Sequence, residues 1–262
     1  MSYLEAARNR TPPEPPRIVL VGDGGVGKTT LAASAPSPIA LCYEKGAENV
    51  DIDKLYPVGL NDGMEIMGEL YSGQHGYKTL VIDSIDWLET AVQHETCVEN
   101  NWSSIEAPGY GKGYKWVLEN KWARLIQALD ALRTGRGMGV VLIAHAQIKR
   151  FDDPLAGQSY DRYIPKMHEG AWRLVTEWAD LVGFLTKETT TQSQKVGFNQ
   201  TVTRATTSGQ RILLTEQTPA AYAKNRYGLT GMPGEIKVPW PPDWTAISRY
   251  IPFYNQPAAA AA

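Results

Sequence analysis

An α/β fold, with a mostly parallel sheet flanked by helices, follows from three observations on the sequence. Short apolar runs alternate with segments of helical periodicity along most of the chain, the pattern of strands joined by helical crossovers. The first of these runs, Arg17-Ile18-Val19-Leu20-Val21, feeds directly into Gly22-Asp23-Gly24-Gly25-Val26-Gly27-Lys28-Thr29, which fits G-x-x-x-x-G-K-[ST]. At 262 residues with 43% hydrophobic side chains, the chain is long enough to build one large domain around a real core.

Taken from the N-terminus, residues 1–16 are expected to form an arm and a tether. Residues 1–10 suit a short helix, and Thr11-Pro12-Pro13-Glu14-Pro15-Pro16 follows as an extended polyproline spacer. Tyr3 and Ala6, three residues apart, have the shape to plug a neighbouring subunit. The core, residues 17–230, then predicts strands at 17–22, 38–43, 78–83, 138–145 and 180–186. Helices are predicted at 28–34, 62–72, 85–99, 115–133 and 168–178. In the longest of them Trp116, Leu118, Trp122, Leu125, Ile126, Leu129 and Leu132 recur at spacings near three and four, so an apolar stripe faces the sheet and the tryptophans belong to the core. Two stretches read as long loops: 101–114, rich in glycine around Pro108 to Tyr114, and 187–210, dense in Thr, Ser and Gln. Residues 231–262 form a tail in which Trp240 and Trp244 lie among prolines, to pack on the core or to bind a partner such as a single-strand binding protein.

The glycine loop carries the chemistry. Its backbone N–H groups turn inward onto the phosphates of a nucleotide, and the helix beginning near Lys28 adds its positive dipole end. Gly22, Asp23, Gly24, Gly25, Val26, Gly27, Lys28, Thr29 and Thr30 are therefore the candidate ATP-binding residues, with Lys28 on the β/γ oxygens and Thr29 on Mg²⁺. Gly22, Gly24 and Gly27 also spell G-x-G-x-x-G, with Glu44 about 20 residues on, as a dinucleotide site requires. Such a site has no need of a Lys-Thr pair directly after the third glycine, and a triphosphate with magnesium needs both. Asp83, at the tip of Thr79-Leu80-Val81-Ile82-Asp83, is the second candidate metal ligand. Glu44 ends the run Pro38 to Tyr43 on the sheet edge where ligands bind, and is the candidate base for an attacking water. His145 or Gln147, at the tip of the next buried strand, is placed to sense the γ-phosphate.

Together these residues resemble a known family. The glycine loop, Tyr43-Glu44-Lys45-Gly46, Ile82-Asp83-Ser84 and the His145 strand follow one another in the order found in RecA-like recombinase cores. Ala223-Lys224-Asn225-Arg226-Tyr227-Gly228 looks like the Ala-Lys-x-Arg-x-Gly segment of DnaB-type hexameric helicases. The stretches 144–154, 160–163 and 177–180 resemble more closely the short RecA-core ATPases of bacteriophages that act in single-strand annealing or recombination. The resemblance spans roughly residues 17–230 and implies a RecA-like P-loop ATPase using ATP and Mg²⁺, in the cytoplasm of a phage-infected bacterial host. It further implies a homo-oligomer, filament or ring, in which Lys224 and Arg226 reach a neighbour's γ-phosphate and join Lys28, Glu44 and His145 in catalysis. The chain departs from the recombinases in carrying His145-Ala146 where they usually carry Asn-Gln, and from partition ATPases in carrying Asp23 in place of their leading lysine.

In recombinase cores two loops after the strands corresponding to 138–145 and 180–186 hold single-stranded DNA. The first contains Lys149, Arg150, Arg162 and Lys166, diluted by Asp152, Asp153 and Asp161. The second offers Lys195, Arg204 and Arg211 with no acid between Thr189 and Thr215, and Phe198 to stack on a base. With a net charge of −2 there is no global field toward a polyanion, so any DNA contact depends on such local groups. Cys42 and Cys97 are too few for a disulfide framework or a metal cage. No apolar run suits a membrane span, and the N-terminus does not read as a signal peptide. The expected function is a DNA-dependent ATPase that promotes annealing or strand pairing in phage recombination. A DnaB-type ring motor, a small-molecule phosphotransferase and a nucleotide-gated binding module are the alternatives.

Overall fold

The computed structural model describes residues 12–152, 157–197 and 200–255, and in 190–205 the backbone alone. The strands are β1 (Arg17–Gly22), β2 (Pro38–Cys42), β3 (Asp53–Leu55), β4 (Thr79–Asp83), β5 (Gly139–Asp152), β6 (Ser159–Pro165), β7 (Leu181–Gly197), β8 (Gln200–Leu214), β9 (Lys224–Asn225) and β10 (Glu235–Val238). The helices are α1 (Lys28–Ala33), α2 (Leu60–Ser72), α3 (Ile85–Asn100), α4 (Lys112–Val117), α5 (Ala123–Arg136), α6 (Glu169–Trp178) and α7 (Thr245–Ser248). The sheet runs β10-β8-β7-β1-β5-β4-β2-β3, with β6 paired to β5 and β9 to β7. Its six central strands, β7 to β3 in that order, are parallel, as the helical crossovers between them require.

Successive residues of a strand face opposite sides, and here both sides are covered, which is why the central strands read as unbroken apolar runs. Val19, Val21, Leu80, Ile82, Val140 and Leu142 pack with α2, α3 and α5 on one side. Ile18, Leu20, Val81, Val141 and Ile143 pack on the other with Leu31 of α1 and with Met232, Ile236, Val238, Trp244, Ile247 and Ile251. The segment set apart as a C-terminal tail is thus part of the core over residues 231–255. Its apolar residues lie under the second face of the sheet, which α1 alone is too short to cover.

Several sequence boundaries shift for local reasons. The helix predicted over 115–133 is α4, a π-helical turn at Leu118–Trp122 and then α5. It begins earlier, at Lys112, directly after Gly111 at φ +69° in the left-handed region, and Gly113 comes so close to the Ile105 carbonyl that a Cβ would lie 1.9 Å from it. Trp122, Leu125, Leu129 and Leu132 are buried as the stripe predicts. The strand predicted to stop at 145 continues to Asp152 and turns back as β6, with Ala146 opposite Pro165 and Lys149 opposite Arg162. The described residues of 187–210 extend the β7–β8 ladder, for which their β-branched threonines are suited, rather than forming a loop. Tyr3, Ala6 and the 258–262 alanine run lie outside the described residues.

One buried acid sets a pH dependence on this fold. Glu89 of α3 is 6% exposed and accepts a hydrogen bond from the His168 N–H, at the start of α6, at 2.8 Å. Burial pushes its carboxyl up to about 7 from an ordinary 4.5. The folded chain therefore binds this proton more tightly than the unfolded chain, and stability falls as pH rises from 4.5 through 7. Glu89→Gln keeps the acceptor and removes the charge. Its stability relative to the wild type, from urea unfolding, should rise by about 2–3 kcal/mol between pH 4.5 and pH 8; a constant difference would contradict this account.

Candidate nucleotide site

The parallel register brings the predicted loop residues to one edge of the sheet. Gly22 ends β1 opposite His145 of β5, and Cys42 ends β2 opposite Asp83 of β4. The Tyr43 N–H still bonds the Asp83 carbonyl at 2.7 Å, so Glu44 leaves the sheet beside that carboxylate. Gly25, Gly27, Lys28, Thr29, Thr30, Glu44, Asp83 and His145 then line one cavity of about 280 Å³, together with Gly46, Val50 and Trp240.

Two glycines are demanded by the geometry. A Cβ on Gly22 would lie 2.3 Å from the Leu185 carbonyl oxygen of β7, and Gly27 has φ +103° in the left-handed region. Asp23, Gly24 and Gly25 are exposed at the crest of the loop, and Val26 anchors it in the core. Lys28 is 5% exposed, and its ammonium donates to the carbonyls of Gly22 at 2.9 Å and Asp23 at 2.8 Å. Burial lowers its pKa, while Asp83, Asp86, Glu44 and Asp23 oppose that loss of charge.

The donor set fits a small hard cation. The Thr29 hydroxyl donates to Asp83 Oδ2 at 2.7 Å, and burial raises the Asp83 pKa against the hydrogen bond from Thr29 and the charge of Lys28. A hydroxyl and a carboxylate are few protein ligands, which suits Mg²⁺, an ion that keeps waters and draws its remaining oxygens from substrate phosphates. Among the described residues no group of three or more His, Cys, Asp or Glu forms a metal cage of its own.

The third cluster was only half visible in the sequence. His145 Nδ1 lies 3.0 Å from Asp86 Oδ2, and the His145 N–H donates to Asp86 Oδ1 at 3.0 Å. His145 Nε2 then points toward Glu44 Oε1 at 3.6 Å. The hydrogen bond to Asp86 raises the His145 pKa against burial. Burial acts to raise Asp86 itself, and the bonds from His145 and Ser84 hold it below the usual carboxylate range. Glu44 is pushed up by burial, against the charges of His145 and Lys28. Asp86 was not singled out in the sequence; the signal for it was an acid in the first turn of α3, three residues after Asp83, where it turns back to the sheet edge.

The remaining predicted residues are elsewhere. The Lys224 ammonium donates to the carbonyls of Thr176 and Glu177, and Arg226 bonds Asp180 Oδ1 at 3.2 Å and the Glu177 carbonyl at 3.0 Å. Both stand at the end of the sheet opposite the loop, where Val182 pairs with Lys224 and Leu181 pairs with both Ile18 and Asn225. Lys149, Arg150 and Lys166 are exposed on or beside the β5–β6 hairpin. Arg162 is not, because its guanidinium lies over Phe151 and donates to the Tyr160 hydroxyl at 2.6 Å. Gln147 donates to the Pro165 carbonyl within the hairpin. Lys195 and Arg204 belong to the β7–β8 ladder, and Phe198 lies outside the described residues. Arg211, grouped in the sequence with the second DNA loop, instead donates from Nε to the Val26 carbonyl at 2.9 Å, in the nucleotide loop.

A parallel sheet with a phosphate loop after its central strand and a Thr–Asp pair for magnesium defines a P-loop ATPase. Within that class the chain belongs to the AAA domain family, whose sequence profile matches residues 14–227. No curated protein matches it. Among solved structures it is similar to the RadB recombinase, at 16% identity over 77% of this chain and 81% of that one, with a TM-score of 0.42. The flagellar accessory protein FlaH from Methanocaldococcus jannaschii is similar at 11% identity over 93% of each chain, with a TM-score of 0.43. No helix among the described residues is long and apolar enough to cross a membrane.

The His145–Asp86 contact has a direct readout. In ¹⁵N-detected NMR titrations the His145 imidazole should titrate above the ordinary histidine value, and Asp86→Asn should move it down; an unmoved titration would show that Asp86 does not hold the imidazolium.

Proposed function

We propose that the chain is a Mg²⁺-dependent ATPase that assembles on single-stranded DNA and promotes annealing or strand pairing in phage recombination. The observation that supports this reading most directly is the separation of two halves of a hydrolytic site across one molecule. The loop, Asp83, Glu44 and His145 stand at one end of the sheet. Arg226, with 49% of its side chain exposed, stands at the other. Stacked head to tail, one subunit's Arg226 and Lys224 meet the next subunit's loop. Such a heterologous contact generates a filament or a ring.

In this reading each residue has a role that its surroundings permit. Lys28 moves from the carbonyls of Gly22 and Asp23 onto the β/γ oxygens, exchanging two neutral acceptors for anionic ones. Thr29 and Asp83 would hold Mg²⁺, whose charge would stabilise the transferring phosphoryl group. Glu44, desolvated and so more basic than an exposed glutamate, takes a proton from the attacking water. The His145 imidazolium, fixed by Asp86, aligns that carboxylate and meets the γ-phosphate. Arg226 from the neighbour adds the last positive charge, which couples turnover to assembly. DNA lies along the exposed Lys149 and Arg150 of the β5–β6 hairpin and along Lys195 and Arg204.

Steady-state ATP hydrolysis tests this reading when measured across protein concentration, with and without single-stranded DNA. The wild type should turn over faster with DNA and faster per subunit as concentration rises. Arg226→Ala should lose about 100-fold or more of the assembled rate. Turnover indifferent to DNA, concentration and Arg226 would leave a P-loop ATPase and discard the recombination role.

A further inference from the structure

One aromatic side chain at the nucleotide site is left without a task by the reading above. Trp240, between β10 and α7, lines the same cavity as Lys28, Thr29 and Thr30. Its ring edge sits against the loop so closely that a Cβ on Gly27 would lie 2.9 Å from it. Arg211 of β8 holds the ring in place. Its guanidinium carbon is 3.5 Å from the indole centroid, and the same side chain bonds the Val26 carbonyl of the loop. A guanidinium stacked at that distance covers one face of the indole and restrains its rotation.

The stacked guanidinium does not enclose the ring. Trp240 is 56% exposed, whereas Trp244, four residues on, is 3% exposed in the core. Core packing therefore accounts for Trp244 and not for Trp240. A large flat ring, stacked on a cation and still more than half exposed, at the mouth of the cavity lined by Lys28 and Thr29, is suited in shape and chemistry to stack on a nucleobase.

We infer that Trp240 is the nucleobase platform of this site: the base of the bound nucleotide stacks on the exposed indole while its triphosphate runs down to Lys28 and Thr29. Arg211 is a positioning residue that acts through the ring and ties it to the loop at Val26. Because every base offers a π-face, the platform adds affinity for nucleoside triphosphates over inorganic polyphosphate without choosing strongly among bases. This inference rests on the loop binding a nucleoside triphosphate, as proposed above.

The test compares Mg²⁺-ATP with Mg²⁺-tripolyphosphate by calorimetric titration on the full chain. The wild type should bind ATP roughly 10- to 100-fold more tightly than tripolyphosphate, the range expected of one base–aromatic stack. Trp240→Ala should erase that difference while moving tripolyphosphate by less than about twofold, and Trp240→Phe should restore most of it. Trp240→Leu, which keeps apolar bulk without a π-face, should behave like the alanine variant, separating stacking from simple support of the loop. ATP affinity unchanged in Trp240→Ala, with ATP still competing against tripolyphosphate, would overturn the platform and leave the ATPase reading standing. Weakened single-stranded DNA binding in Trp240→Ala without any loss for ATP would likewise overturn it, assigning the ring to DNA. A wild type that binds neither ligand would overturn the nucleotide reading and this inference together.

Discussion

A buried ammonium must be compensated, and the compensation of Lys28 organises the whole edge of the sheet. Its charge sits at 5% exposure on two loop carbonyls, with Asp83, Asp86 and Glu44 all contributing to keep it protonated. These three acids come from two different strand ends and a helix start, so they converge only if β1, β2, β4 and β5 keep their parallel register. A one-residue slip of β4 would turn Asp83 to the opposite face and leave both Thr29 and Lys28 without it. Fold and site are therefore one constraint stated twice: the burial of both faces of the sheet that holds these strands in register also fixes where their polar tips meet.

The opposite end of the sheet is organised by a second compensated charge. Arg17 opens β1 and donates to Asp180 from its backbone N–H and its guanidinium, at 2.7–3.1 Å, and Arg226 joins the same carboxylate. Asp180, at the start of β7, is thereby held below the usual carboxylate range in spite of its burial. Arg226 is thus oriented by a rigid partner rather than free on the surface. In the proposed assembly such preorganisation would lower the conformational freedom lost when Arg226 engages a neighbouring subunit.

Much of this was legible in the sequence, and the limits are physical. The glycine loop, the Asp83 strand tip and the Glu44 strand end were readable because local spacing alone places them. The central strands were readable because burial on both faces leaves continuous apolar runs. Asp86 was harder, since its role depends on α3 turning back to the edge beside β5. Arg211 and Trp240 were not legible as site residues at all: they lie some 185 and 213 positions from the loop and reach it only because β8 and β10 add to the sheet. Likewise the Thr-rich stretch after 187 looked like a loop because its run of polar residues carries no apolar alternation to mark the β7–β8 ladder. For the C-terminal segment the sequence left packing on the core and binding a partner both open, and its apolar residues cover the face that α1 leaves bare.

Glu44→Gln in single-turnover hydrolysis separates the proposed base from the phosphate-binding loop beside it. With Glu44 as the base, the chemical rate falls by about 100-fold or more while Mg²⁺-ATP affinity changes by less than about threefold. A rate equal to that of the wild type, with ATP bound as before, would contradict that role.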